Sequence, residues 1–354
     1  MLTYSQELVR YLETPTGLAY LKTNPNVVGP SWPEFVSMAA LPGITAAVLE
    51  VAPPLHPYLQ PLTSEQLPML QEALSRKVHA HSGYTTASLL GWSDLIRYGW
   101  VSLEGALCLF AEQAGGLFMP LPPLGDDVTP KVLQACWEIL TQANQGHGVS
   151  RIEGIELADA PLFAENGFKL LQGEPEYLYR RKDLITLKGN RYRSQRWAIN
   201  RCVRQISCRI RSFEEEDLVE CLKLYTAWGI ERQQSNRESF PKALIRDGLF
   251  FHRRLMMDHE KLNLVGRVLE VEGQIRGYTF GAKVSSSTFC IFLEITDRSI
   301  QGLAQLLFRE FCRELEPYEF VNAMGDEGLP GLRRAKEAYR PVGMIPTFMA
   351  RQSS

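Results

Sequence analysis

The chain has 354 residues, 45% of them hydrophobic and 22% charged, with a formal net charge of −2. These are ordinary globular values and exclude disorder, collagen and coiled coil as descriptions of the whole. The length favours two domains. Seven Cys without a C-x-x-C pair and six His without H-E-x-x-H exclude a zinc ribbon and a zinc-protease helix, so no metal is expected, and the odd Cys count argues against a disulfide framework.

Residues 1–56 carry seven prolines and no clear period, and are expected to form an N-terminal extension with short helices. Thr63-x-x-Gln66 is a capping-box pattern ahead of Leu67, Leu70 and Leu74 at helical spacing. Residues 106–111 and 116–121 flank Glu112–Gly115 as a hairpin. Pro130 suits the first turn of a helix to Asn144, and Arg151 to Glu156 and Phe168 to Tyr179 read as strands. Arg209 to Phe213 is strand-like, and Ser212-x-x-Glu215 is expected to cap a helix with Leu218, Cys221, Leu222, Tyr225 and Trp228 on one face. Leu264–Val271 and Ile275–Ala282 flank the tight-turn pair Glu272-Gly273. Thr288–Ile295 gives a third strand, Gln301–Leu315 a helix and Tyr318–Asn322 a strand. No stretch reaches the ~20 apolar residues that span a bilayer. The opening Met1–Glu13 lacks the apolar run of a signal peptide. A cytoplasmic protein in a reducing compartment is expected.

Charge is unevenly placed. Residues 1–179 hold 8 Lys+Arg against 18 Asp+Glu, residues 180–211 hold 11 against one, and residues 212–354 hold 19 against 21. The middle block suits a polyanion such as RNA or anionic lipid, with a solvated helix face as the plainer reading. Leu184, Leu187, Trp197 and Ile199 within it point to packing, so its cations project from a structured linker.

Thr288–Ile295 alternates Phe289, Ile291, Leu293 and Ile295 against Cys290, Phe292 and Glu294, as in a central strand covered on both faces. A carboxylate there requires a partner, a raised pKa or an opening to substrate. The turn Ser299-x-x-Gly302-x-Ala304 keeps the small residues of a pyrophosphate-binding helix start, with packing as the alternative. Asp326 stands among Gly325, Gly328 and Gly331, and Arg333, Lys336 and Arg340 follow at i, i+3, i+7 before Pro341. An acidic loop beside a basic helix face suits a substrate with both an amine and a phosphate. A surface helix with an internal ion pair is the simpler alternative.

Strand, helix, three-strand meander, helix, strand resembles the GNAT acyltransferase order. The stretch Asn322, Asp326, Gly328, Gly331, Leu332, Arg333, Ala335, Lys336, Tyr339 and Pro341 resembles N-R-x-x-D-L-G-x-x-G-L-R-x-A-K-x-S-Y-x-P of the catalytic C-terminal domain of phosphatidylglycerol lysyltransferases. Tyr177-Leu-Tyr179, Leu184, Leu187-Lys188-Gly189, Tyr192, Arg196 and Asn200 are similar as well, as is Ser82-Gly-Tyr84 through Leu90-Gly-Trp92. The family's F-E-K-A is Leu293-Glu294-Ile295-Thr296 here, its K-R-N is Gln195-Arg196-Trp197, and the Arg after its Asn is Ala323.

The resemblance implies an α/β (α+β) protein of two tandem GNAT-like domains, with mixed, mostly antiparallel sheets flanked by helices. The expected bounds are 57–182 and 207–354, joined by a basic helical linker at 183–206. It implies transfer of an aminoacyl group from aminoacyl-tRNA to a lipid or other small acceptor, with peripheral contact at the inner membrane face. Asp326 is then the candidate base, with Glu294 as the alternative, and Asn322, Arg333, Lys336 and Tyr339 bind substrate. Arg191, Arg193, Arg196, Arg201 and Arg204 carry the tRNA backbone. No cofactor is required. The competing readings are a CoA-dependent N-acyltransferase using Gly302 and Ala304, and a non-catalytic module for RNA or anionic surfaces.

Overall fold

A computed structural model describes residues 55–113, 116–145, 149–234 and 242–352, so the expected extension lies outside the described residues up to position 54. The elements run β1 (Gln60–Pro61), α1 (Leu67–Ser75), α2 (Thr86–Leu90), β2 (Arg97–Leu103), β3 (Ala106–Gln113), β4 (Gly116–Phe118), α3 (Pro130–Asn144), β5 (Ile152–Glu156), α4 (Ala160–Glu165), β6 (Phe168–Gln172) and β7 (Glu176–Arg180). They continue with α5 (Arg181–Thr186), α6 (Arg193–Gln205), β8 (Cys208–Ser212), α7 (Leu218–Gln234), α8 (Lys242–Met257), β9 (Val265–Val271), β10 (Gln274–Lys283) and β11 (Thr288–Thr296). The last are α9 (Leu303–Glu314), β12 (Phe320–Asn322), α10 (Pro330–Glu337), β13 (Gly343–Ile345) and β14 (Thr347–Gln352).

The chain forms two units, each mixed α/β. The first comprises residues up to Val78, Trp92–Gly173 and those from Thr347. Its antiparallel sheet β1-β2-β3-β4 and its second sheet β5-β14-β6 share one apolar core with α3, including Phe110, Met119, Leu133, Trp137 and Phe163. Thr63 and Gln66 form the expected capping box, and Thr129 accepts a hydrogen bond from the Val132 N–H ahead of α3.

The second unit comprises His79–Gly91 and Glu174–Pro346. Its seven-stranded sheet has the order β13-β7-β12-β11-β10-β9-β8, with β11 and β12 parallel and the other pairs antiparallel. The expected single strand from Phe168 to Tyr179 is therefore two strands, β6 and β7, one in each unit. Tyr278 contacts His252 of α8 on one sheet face. Gly277 faces the other way, where an added methyl would meet Leu307 of α9 at 3.3 Å. The turn joining β9 to β10 has φ of +53° at Glu272 and +75° at Gly273, as a two-residue hairpin requires.

Two local expectations change. The cap before α7 is not Ser212 with Glu215 but Glu214 with Asp217. Ser212 is the last residue of β8, and Asp217 is fixed by two bonds from Arg211, which leaves it placed to accept from the Glu214 N–H at 2.9 Å. The alternation along β11 also fails. Gly281 pairs with Ile291 and Phe280 with Leu293, leaving Phe292 as the extra residue of a bulge. Beyond it, Glu294 pairs with Thr279 and shares that residue's α9-facing side.

Gly302 opens α9 at φ +91°, and a methyl there would lie 2.2 Å from the Ala198 carbonyl oxygen of α6. Close packing of two helices explains the glycine. Gly302→Ala is expected to cost about 2–4 kcal/mol, from left-handed strain together with overpacking. Denaturant unfolding measures this, and a change below ~1 kcal/mol would show that the turn has room to spare.

Candidate functional site

The loop after β12 is built for a buried anion. Asp326 is 5% exposed, and its carboxylate accepts from Tyr177 OH at 2.6 Å, Gly328 N–H at 3.0 Å, and Arg333 Nε and Nη2 at 3.0 and 3.2 Å. Left-handed conformations at Met324, Glu327 and Gly328 fold the loop back to make these contacts. Asp326 and Arg333 thus form an internal ion pair, as in the simpler alternative. Arg333's hydrogen bonds hold the carboxyl below its usual range, against the opposing effect of burial. Burial pushes the Tyr177 hydroxyl up to about 12, helped by Asp326. A carboxylate so fully engaged is a poor proton acceptor, so the expected role of Asp326 as base is not supported by its geometry. It orients Arg333, whose side chain remains 55% exposed.

Lys336 sits on the same helix but faces inward. Its Nζ donates to the carbonyls of Ala323 (2.5 Å), Met324 (3.2 Å) and Gly325, closing the end of β12 and the loop behind it. Burial lowers its pKa. Arg340 falls outside the basic face expected for it, since α10 ends at Glu337 and Arg340 has φ +55°.

Asn322 is fully buried and serves the scaffold. Its amide donates to the Ala80 carbonyl (3.0 Å) and to Glu176 (2.6 Å), and its oxygen accepts from Met324 N–H (2.7 Å). Glu176 also accepts from the backbone N–H and hydroxyl of Ser82, which ties the segment around Ser82-Gly-Tyr84 to the sheet. Tyr339 is half-buried against Tyr179 and Phe308, and burial raises its pKa, with Glu294 as the next cause. Sequence reasoning missed Glu176, and it used Tyr177 and Tyr179 only as resemblance. The signal was present in E-Y-L-Y, which puts two phenols on one strand face and a carboxylate on the other.

Glu294 differs from every other candidate. Its Oε2 is buried without a hydrogen-bond partner, while the residue as a whole is half-buried. Burial pushes its carboxyl up to about 8, although the charge of Lys336 pulls the other way. This is a carboxyl able to gain and lose a proton near neutrality.

The basic block resolves into two roles. Arg191, Arg193, Arg201 and Arg204 are exposed. Arg196 is not available in the same way, because its guanidinium donates to the carbonyls of Leu187 and Gly189. Trp197, expected in the packing, is 55% exposed with the Arg201 guanidinium over its ring at 5.3 Å. Gly302 is buried and Ala304 half-buried, the former against α6. No group of His, Cys, Asp and Glu among the described residues is arranged to hold a metal.

The family described as phosphatidylglycerol lysyltransferase, C-terminal, matches residues 75–351. A conserved protein of unknown function from Bacteroides thetaiotaomicron is similar in structure, at TM-score 0.73 and 23% identity over 83% of this chain and 99% of that one. The structure titled L-PGS from Bacillus licheniformis matches at TM-score 0.58 and 21% identity, covering 83% and 93%. FemX matches at TM-score 0.52 and 10% identity, covering 82% and 96%. No curated protein sequence matches the chain.

The two carboxyls predict opposite pH signatures. Glu294 ionises near 4.5 when unfolded and near 8 when folded. Between those values the folded state binds more protons, so stability falls as pH rises. Glu294→Gln is expected to leave the melting temperature unchanged at pH 4 and to raise it above the parent by pH 8. A pH-independent difference would show that the folded carboxyl ionises normally. Asp326 is depressed, so its contribution is present at neutral pH and lost as pH falls through the lowered value. Asp326→Asn should cost about 1–3 kcal/mol at pH 7 while folding survives. Unfolding titrations at pH 7 and pH 3 should show that penalty shrinking with acid.

Proposed function

Because the chain belongs to the phosphatidylglycerol lysyltransferase C-terminal family, we propose that it moves an aminoacyl group from aminoacyl-tRNA to a lipid or other small acceptor, with Glu294 as general base. That the chain is an acyltransferase follows from the family, and its fold is the tandem GNAT-like one. The observation that carries the role of Glu294 is the unpartnered Oε2 of its half-buried carboxyl just past the bulge of the central strand, where burial pushes the pKa up to about 8. A base so poised is suited to operation near neutral pH.

In this scheme the acceptor's hydroxyl or amine gives its proton to Glu294 as it attacks the ester carbonyl. The new acyl bond forms, the ester bond to the tRNA ribose breaks, and the ribose oxygen takes a proton back. Arg333, steadied by Asp326, offers the planar fork of donors that suits a phosphate on the acceptor. The exposed Arg191, Arg193, Arg201 and Arg204 take the tRNA backbone, and Arg196 supports them by holding the loop before α6. Lipid acceptors would be met by peripheral contact at the inner membrane face. No cofactor enters the scheme.

The test is transfer of radiolabel from charged bulk tRNA to anionic phospholipid vesicles and to soluble amines. Label should appear in one acceptor class, with a rate that rises with pH through about 8. Glu294→Gln should lower the rate by about 10²–10⁴-fold and remove that rise. Replacing Arg193, Arg201 and Arg204 together with Ala should flatten the salt dependence of tRNA binding, each lost phosphate contact removing about 0.7–0.9 from the slope. Transfer from an acyl-CoA with no requirement for tRNA would overturn the reading.

A further inference from the structure

Two buried polar atoms in the second unit lack hydrogen-bond partners and belong to residues directly opposite one another on neighbouring strands. Thr279 on β10 pairs with Glu294 on β11. Thr279 is 0% exposed, and both its Oγ1 and Glu294 Oε2 are buried and unpartnered. Directly opposed residues in an antiparallel pair have Cβ atoms about 4.5–5.5 Å apart and project from the same face. A side-chain rotation at either residue therefore brings hydroxyl and carboxylate together.

An orphaned buried hydroxyl is costly, and Val or Ile would suit a central strand better. The neighbours of Thr279 along β10, Tyr278 and Phe280, are both fully buried, and the Tyr278 hydroxyl has a partner in His252 Nδ1 at 2.8 Å. A threonine at this register position has one physical use that valine lacks, a donor directly across the strand pair from the carboxyl. We propose that Thr279 is the positioning residue of Glu294, its hydroxyl donating to Oε2 once the carboxyl has given up its proton and fixing the carboxylate for its next encounter with the acceptor. The inference rests on the reading of Glu294 as base, but its own test does not require turnover.

The hydroxyl acts in a field set by several neighbours. Lys336 on α10 favours the charged form of Glu294. Cys312 on α9 and Tyr339 beyond α10 each feel the Glu294 charge, and both resist losing their own protons. Among these groups only Lys336 stabilises the ionised carboxyl through charge, and its ammonium is already engaged by three carbonyls. The direct hydrogen bond to Oε2 falls to Thr279.

The experiment follows the Glu294 carboxyl by isotope-edited infrared titration of the full chain, with Glu294→Gln as the blank that identifies its band. In Thr279→Val the midpoint should move to higher pH by about one unit or more, the size expected for losing a hydrogen bond to a charged group. Thr279→Ser should restore the parent midpoint, which a packing role would not do. If Thr279→Val fails to fold, Thr279→Ala against Thr279→Ser makes the same comparison. A midpoint unchanged in the folded Val or Ala variant, or a Ser variant that titrates like it, overturns the proposal. Undiminished transfer by Glu294→Gln would instead overturn the role of Glu294 as base and leave the titration result standing.

Discussion

One inserted residue, Phe292, decides which way the carboxyl of the central strand points. With strict alternation Glu294 would share a face with Cys290, opposite Phe289 and Ile291. The bulge reverses the phase, so that Leu293 and Ile295 join Phe280 and Tyr278, and Glu294 joins Thr279 on the side of α9. Everything unusual about Glu294 follows from that reversal: its neighbourhood with Lys336 and Tyr339, its orphan oxygen and its raised pKa. The bulge also falls just past the short parallel pairing of Thr288–Cys290 with Phe320–Asn322. The half of β11 that bears Glu294 is therefore the half that β12 does not cover.

The two carboxyls are shifted in opposite directions by their environments. Asp326 has four donor contacts and remains ionised, so it behaves as a fixed charge. Glu294 has an unpartnered oxygen and can change charge. Pairs of acids pushed apart in this way separate proton transfer from electrostatic support. Lys336 bears on Glu294. It faces inward to close the strand-end carbonyls while its charge restrains the rise in the Glu294 pKa, and this explains why a lysine sits three residues after an outward arginine on a short helix.

Much of this was legible in the sequence because it rests on period and turn chemistry. The capping box at Thr63, the proline start of α3, the Glu272-Gly273 turn and the three-strand meander all depend on near neighbours. The meeting of Asp326 with Arg333 was legible from glycine spacing and helical phase. The bulge was not, since every residue from Phe289 to Leu293 is apolar and no polar residue marks the change of phase. The ends of hydrogen bonds were equally hidden. The family resemblance implies substrate binding for Asn322 and Lys336 and tRNA contact for Arg196, yet their partners are backbone carbonyls or buried acids that no local pattern announces.

Three of the positions that depart from the family pattern, Ile295, Gln195 and Trp197, make physical sense when their faces are known. Ile295 stands where the family has a lysine, and it pairs with Tyr278 on the side covered by α7 and α8, where it is 6% exposed. An ammonium in that apolar layer would need a partner of its own, so isoleucine is the choice that the surrounding packing favours. Gln195 stands where another lysine would be, and its amide donates to the Ala338 carbonyl at 2.9 Å, keeping the link between α6 and the end of α10 without a charge. Trp197 is the opposite case, an apolar ring held at the surface beneath a guanidinium. Two departures thus remove a cation from the interior, and the third adds a flat surface among arginines that remain outside. The cationic character of α6 is concentrated on its outer face, where a polyanion can reach it.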